Sequence, residues 1–351
     1  MSEFRNHDLY REDLSYVASL PLPWEKLQGR SVMLSGATGM IGTFLIDVLL
    51  YKNHTSDLQC HIYALGRNRE KAAKRFGAHM DDPAFSFVTC DITKPLELQE
   101  TGQADYILHL ASTTHPQAYA SDPVGTVTAN VFGAYNLLEY AVSCHAGRFI
   151  FVSSNEIYGE NRGDTELFDE SYCGYIDCNT LRAGYPEAKR CAEALCQAYI
   201  RQKDLDIVIP RLTRSFGPTL LDSDTKALSQ FLHKALAGED IVLKSEGTQY
   251  YSYTYTADAV AGLLYVMLLG RTGEAYNIAD GACDIRLKDL AKLVADAAGR
   301  KVIFDLPAEA EAAGYSKATK ARLDGSKCKA LGWSLHYGLA DGIERTLKIM
   351  R

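Results

Sequence analysis

The run Ser35-Gly36-Ala37-Thr38-Gly39-Met40-Ile41-Gly42 most constrains what this chain can fold into. The apolar stretch Val32-Met33-Leu34 precedes it and reads as a buried strand, and Thr43 to Leu50 follows with the apolar content and length of a helix start. A strand, a glycine-rich turn and a helix make half of a dinucleotide site. Gly36 permits a tight turn at the strand end. Gly39 lets the backbone approach a pyrophosphate with no Cβ in the way, and Gly42 lets the helix lie close to the sheet. The free N–H groups of the first helical turn would face the phosphates. The spacing is G-x-x-G-x-x-G rather than the usual G-x-G-x-x-G, and glycines in loops also make ordinary turns. The motif therefore needs support from the rest of the chain.

The support is an alternation of strand and helix patterns from residue 31 onward. Strands are expected at Val32–Leu34, Cys60–Leu65, Phe85–Val88, Tyr106–Leu110, Phe149–Val152 and Ile207–Pro210, with helices at Gly42–Lys52, Val124–Cys144 and Pro186–Lys203. This predicts an α/β, Rossmann-type doubly wound parallel sheet whose ligands lie beyond the carboxyl ends of the strands. Residues 1–30 are an N-terminal extension, in which Leu9 to Leu20 reads as an amphipathic helix ended by Pro21 and Pro23, with Trp24 packed on the body. Residues 31–211 are assigned to the dinucleotide-binding domain, with 253–280 returning to it. Residues 212–252 and 281–351 are assigned to a smaller C-terminal α/β substrate domain. Within the C-terminal part, helices are expected over Leu228–Ala237, Ala257–Leu269, Ile285–Gly299 and Leu339–Met350, and a short strand over Ile241–Leu243.

Composition removes several classes. A net charge of −7 over 351 residues argues against a nucleic-acid binder. No apolar run approaches the roughly 20 residues needed to span a bilayer, so no membrane association is expected. The nine cysteines are odd in number and form no C-x-x-C pair, which reads as reduced thiols in a cytoplasmic protein. The histidines show no metal-ligand spacing, and no metal is expected.

The chemistry-bearing residues fall at strand ends. The second strand ends in Gly66-Arg67-Asn68-Arg69, without the acidic residue that would bind the ribose 2′-hydroxyl of NAD. Arg67 would favour a 2′-phosphate, as in NADP, or stack on the adenine. Asp91-Ile92 ends the third strand, where the aspartate would accept a bond from the adenine amino group or cap a turn. His109-Leu110-Ala111-Ser112 ends the fourth, where His109 reads as structural and the small residues let a cofactor lie over the strand end. The fifth leads into Ser153-Ser154-Asn155-Glu156-Ile157-Tyr158. Tyr185 and Lys189 then stand at i and i+4 on one helix face. A lysine cation lowers the pKa of a phenol, so the phenolate can take a proton from an alcohol while hydride leaves the carbon, and a serine opposite can bond the same oxygen.

In these residues the chain resembles the extended short-chain dehydrogenase/reductases, in the NAD-dependent nucleotide-sugar epimerase/dehydratase group. The resemblance covers nearly all of 31–351. It rests on Gly36–Gly42, Asp91-Ile92, His109-Leu110-Ala111, Ser154, Tyr158-Gly159, Tyr185/Lys189, Arg211 with Gly217-Pro218, Tyr253–Asp258, Tyr276-Asn277-Ile278 and Leu331-Gly332-Trp333. It implies catalysis by Ser154, Tyr185 and Lys189. Cofactor contacts are implied from Gly36, Thr38, Gly39, Met40, Ile41, Gly42, Arg67, Asp91, Ile92, Leu110, Ala111, Ser112, Ser153, Tyr185 and Lys189. The implied cofactor is NAD, with NADP open. The implied reaction is oxidation of a nucleotide-linked sugar, usually at C4, to a transient 4-keto intermediate.

The residues beside Ser154 select among outcomes. Sugar 4,6-dehydratases carry Asp-Glu where this chain has Asn155-Glu156, and Asn155 cannot supply the acidic proton. UDP-glucuronate decarboxylases are closer in motif, with a small polar residue at position 155, a glutamate like Glu156, and an arginine at the place of Arg182. Two departures concern the substrate. Many members have an arginine where Tyr251 stands, and an asparagine where Arg214 stands, so Arg214 would supply the phosphate-binding cation that position 251 lacks. The substrate-binding set is thus Asn155, Arg182, Arg214 and Tyr251. The leading reading is a nucleotide-sugar epimerase or decarboxylase with Tyr185 as base and Glu156 in the catalytic set. An NADPH-dependent ketoreductase and a non-catalytic dinucleotide-binding protein are the alternatives. The family commonly dimerises, and apolar stripes on Val124–Cys144 and Pro186–Lys203 would either pair across a two-fold axis in a homodimer or simply cover the sheet.

Overall fold

A computed structural model describes residues 3–96, 104–112, 119, 121–305 and 320–351. Its large sheet contains β1 (Ser31–Ser35), β2 (His61–Gly66), β3 (Phe85–Thr89), β4 (Tyr106–His109), β5 (Arg148–Phe151), the two-residue β6 (Ser153–Ser154) and β7 (Ile207–Leu212). The chain then leaves through β8 (Arg214–Phe216), β9 (Ile241–Leu243) and β10 (Tyr250–Tyr255), and returns with β11 (Ala275–Ile278). The strand order is β11-β7-β5-β4-β1-β2-β3, with β6 beside β7. Every pairing in this sheet is parallel. The order reverses between β1 and β4, and that is where a doubly wound sheet opens a crevice for ligands.

Burial on both faces explains the continuous apolar runs. In β1, Val32 and Leu34 join one core cluster, while Met33 joins the other. The first cluster lies under α1 (Asp8–Ala18), α2 (Met40–Thr55) and, later in the chain, Thr256–Leu269. After α3 (Arg69–Phe76) come α4 (Pro123–Ser143) and α5 (Gly184–Lys203), which cover the second face through Leu137, Leu138, Ala192, Cys196 and Tyr199. Asp122 caps α4 by accepting from Gly125 N, and Pro123 sits in its first turn, where a missing N–H costs nothing.

The N-terminal extension packs onto this body. Tyr10, Leu14 and Val17 of α1 are buried in the first cluster, and the Tyr10 hydroxyl donates to Asp47 of α2. Trp24 is buried, with its indole N–H on Leu20 O at 3.0 Å.

A smaller C-terminal group of elements follows β7. It comprises α6 (Ala227–Leu236), α8 (Leu287–Ala298), α9 (Ser326–Lys329) and α10 (Leu339–Met350), with β12 (Asp284–Arg286), β13 (Val302–Phe304) and β14 (Lys320–Ala321), while α7 (Thr256–Leu269), between α6 and α8 in sequence, packs in the first core cluster. Strand β10 pairs with β12, β14 and β8, so it lies wholly in the small sheet. The return to the large sheet, expected from residue 253, starts with α7 at Thr256.

Asp258 in the first turn of α7 does more than face the helix dipole. Its two carboxyl oxygens accept the backbone N–H groups of His336 and Tyr337, at 2.8 and 3.0 Å. Burial pushes this carboxyl up to about 7. The contact ties the segment before α10 to α7. Asp258→Ala should cost about 3 kcal/mol of unfolding free energy in urea at neutral pH, because it empties a buried site and takes the acceptor from two backbone N–H groups.

Candidate active site

The turn after β1 is built as its glycines require. Gly36 has φ +71°, and a Cβ on it would lie 2.6 Å from Ala111 N and 2.7 Å from Leu110 C. Leu110 and Ala111, at the end of β4, thus close directly over Gly36. Ser35 Oγ ties the two ends together, accepting from Ala111 N at 3.2 Å and meeting His109 Nδ1 at 2.9 Å. His109 is fully buried, and burial together with the Lys189 charge holds its imidazole down at about 3. It is therefore neutral and structural. A Cβ on Gly42 would lie 2.6 Å from Gly36 O, so α2 meets the turn at a distance only glycine allows.

Gly39 is the N-cap of α2 and offers no side-chain cap. The first N–H groups of the helix, at Met40, Ile41 and Gly42, point out past a glycine rather than into a Ser or Asp oxygen. This cradle fits a dinucleotide pyrophosphate. Thr38 lies in the turn itself, half-buried. Arg67 is exposed just beyond β2, and Asn68 caps α3 through Lys71 N. Asp91 closes a turn, its Oδ1 accepting from Thr93 N and Oγ1 at 3.0 and 2.8 Å. Ile92 O accepts from Asn136 of α4. These residues border the β1–β3 half of the crevice, where the adenosine of a dinucleotide would lie.

The other half gathers the acid–base residues. β6 carries Ser153 and Ser154, whose β7 partners are Arg211 and Leu212. Ser153 is buried, with no hydrogen-bond partner for its Oγ among the described residues. Ser154 Oγ accepts from Glu156 N, which leaves its proton for a neighbour. Tyr185, in the first turn of α5, is buried. Burial raises its pKa, the Glu156 carboxylate raises it further, and Ser154, Arg182 and Ser112 pull it down. Lys189, one turn later, is buried with Nζ donating to Val152 O at 2.8 Å and lying 4.7 Å from the Phe151 ring centre. Burial lowers its pKa to about 8, so the ammonium persists at neutral pH.

Glu156 and Arg182 form an ion pair at 2.8 Å beside this group. Asn155 is buried next to them. One residue here escaped sequence reasoning. Tyr119 stacks on Tyr185 at 5.3 Å between ring centres, and the Arg182 guanidinium lies 5.1 Å over the other aromatic ring of that pair, Tyr119 itself. Its only sequence signal is its position between β4 and α4. Arg214 and Tyr251 also meet, the guanidinium 3.6 Å over the ring.

Residues 32–279 match the family model described as the NAD dependent epimerase/dehydratase family. The chain belongs to that family. Among relatives of this epimerase/dehydratase chain, UDP-glucuronic acid decarboxylase 3 of Arabidopsis thaliana is 33% identical over 242 residues, 69% of this chain and 67% of the relative. UDP-glucuronic acid decarboxylase 1 of Xenopus tropicalis is 26% identical over 323 residues, 92% of this chain and 72% of the relative. The dTDP-glucose 4,6-dehydratase DesIV of Streptomyces venezuelae, solved with NAD bound, superposes with a TM-score of 0.76 at 26% identity, covering 91% of this chain and 96% of that one. A UDP-glucuronic acid 4-epimerase of Bacillus cereus shares the fold, with a TM-score of 0.76 at 21% identity and coverage of 91% and 98%. The protein is thus an enzyme of the extended short-chain dehydrogenase/reductase type, and its cofactor is a nicotinamide dinucleotide. Among the described residues no helix is long and apolar enough to cross a membrane.

Proposed function

We propose that this enzyme oxidises a nucleotide-linked hexuronic acid at C4 and releases its carboxyl group as CO₂, as a UDP-glucuronate decarboxylase does. The observation that carries the reading is the group formed by Ser154, Tyr185, Lys189 and the Glu156–Arg182 pair, with Asn155 rather than an acid beside it. Bound NAD, held by the turn at Gly36–Gly42, supplies the hydride acceptor. Tyr185 as phenolate takes the C4 hydroxyl proton, while Ser154 donates to the same oxygen. Lys189 holds a positive charge behind them. A ketone at C4 makes the C6 carboxylate a β-keto acid, so the C5–C6 electron pair is accepted by the ketone without a strong acid. Asn155 could not protonate a leaving hydroxide, which disfavours loss of water.

Mass analysis of the product from UDP-glucuronate and NAD tests this. Loss of CO₂ is expected. An unchanged mass with altered C4 configuration would make the enzyme an epimerase. Glu156→Gln gives a further expected result. Removing the carboxylate that raises the Tyr185 pKa should move the acid limb of the kcat profile to lower pH, measured across the neutral range.

The cofactor is taken to be NAD. The β2 end has no acidic residue but an exposed Arg67, so NADP should also bind, and Arg67→Asp should weaken NADP more than NAD in titration. The protein is taken to be a homodimer. The outer face of α4 exposes Val124 and Phe132, at 72% and 52%, together with Val127 and Tyr135. Pairing of α4 and α5 with a second copy would cover them. Light scattering should give twice 38.7 kDa. All nine cysteines are free, in keeping with a cytoplasmic location.

A further inference from the structure

Arg214 differs from several arginines of the interior. Arg211, three residues earlier, pairs with Glu193; Arg148 pairs with Asp206; Arg345 pairs with Asp13. Arg214 has no such carboxylate among the described residues, and its Nη1 is buried without a hydrogen-bond partner. Its guanidinium lies flat on Tyr251. That platform is rigid, because β10 is held at Tyr251 by Ile285 on one side and Ala321 on the other. A buried guanidinium N–H with no acceptor is costly unless an oxyanion meets it.

The strand register says where that edge lies. β7 pairs with β6 so that Leu212 stands opposite Ser154. Arg214 follows two residues later along the strand direction, a rise of about 7 Å. It therefore stands just past the carboxyl end of β7, the end at which Ser154 lies. β8 then pairs with β10, with Arg214 opposite Tyr253.

We propose that Arg214, laid flat on Tyr251, is the clamp for an oxyanion of the substrate, either a phosphate of its diphosphate or its sugar carboxylate. The stacked ring leaves only the guanidinium edge, whose paired N–H groups match two oxygens of one phosphate or carboxylate. The inference rests on the nucleotide-sugar reading above and extends it, by making a single cation the recognition point of the anion.

Calorimetric titration of the NAD-loaded protein with UDP, UDP-glucose and UDP-glucuronate tests it, with Arg214→Gln alongside. A loss of about 10–100-fold for all three places the clamp on the diphosphate. The same loss for UDP-glucuronate alone places it on the carboxylate. Either result upholds the clamp. Equal affinities of Arg214→Gln and the unaltered protein for all three ligands overturn it. An unaltered protein that binds none of the three fails the nucleotide-sugar reading instead. The clamp is then decided by inorganic pyrophosphate: protection against thermal unfolding that Arg214→Gln removes supports it, and absent or undiminished protection overturns it.

Discussion

Tyr185→Phe should lower kcat by about 10²- to 10⁴-fold and leave the dissociation constant for NAD within about twofold. The substitution removes one oxygen and little else. Tyr185 stays stacked on Tyr119, and the ring remains buried at the start of α5. The glycine turn after β1, which would hold the pyrophosphate, lies on other elements and is untouched. Loss of turnover with intact cofactor binding identifies the phenol oxygen as the proton acceptor. Parallel losses of both would mean that the residue holds the crevice together, and that the base is elsewhere. Burial and Glu156 hold the Tyr185 pKa up in the protein without ligands. The positive charges of Lys189 and of the oxidised nicotinamide ring favour the phenolate, so the variant should be compared with the NAD-loaded enzyme.

Gly36→Ala is expected to be the most damaging single-methyl change in the cofactor turn. The new Cβ would meet three backbone atoms of Leu110 and Ala111 at 2.6 to 2.8 Å, and the residue would have to hold φ +71°. Backbone cannot rotate away as a side-chain tip can. The β1 and β4 ends must separate, which opens the crevice at the switch point. The expected cost is about 3 kcal/mol of stability and about 100-fold in NAD affinity, read by urea unfolding and by calorimetry. By contrast, a Cβ at Gly39 meets only Gly36 O at 3.1 Å, and Gly39→Ala should do less to the fold than Gly36→Ala.

The large sheet was legible in the sequence because its strands are buried on both faces. Val32–Leu34, Ile107-Leu108 and Phe149–Val152 are apolar without alternation, and glycine or helix patterns bound them. The small sheet was not. Strand β10 is a mixture of Tyr, Ser and Thr, and its partners β12 and β14 are three and two residues long and distant in sequence. No local periodicity could announce them. Within the site, Tyr185 and Lys189 were legible because their roles fix their spacing on one helix. Tyr119 was not, since nothing in its spacing relates it to Tyr185 and the chain has 21 tyrosines. Arg214 and Tyr251 could be marked as departures from the family pattern. Their stacking depends on the β8–β10 pairing, which only the fold supplies.

The central claim is a redox-neutral cycle in which the hydrogen removed from the sugar returns to it. UDP-glucuronate deuterated at C4, incubated with the enzyme and a trace of NAD, tests this most directly. The account predicts a decarboxylated product that keeps deuterium at C4, with no accumulation of NADH. Product that has lost the label to free reduced cofactor, with NADH formed in proportion to turnover, would contradict it.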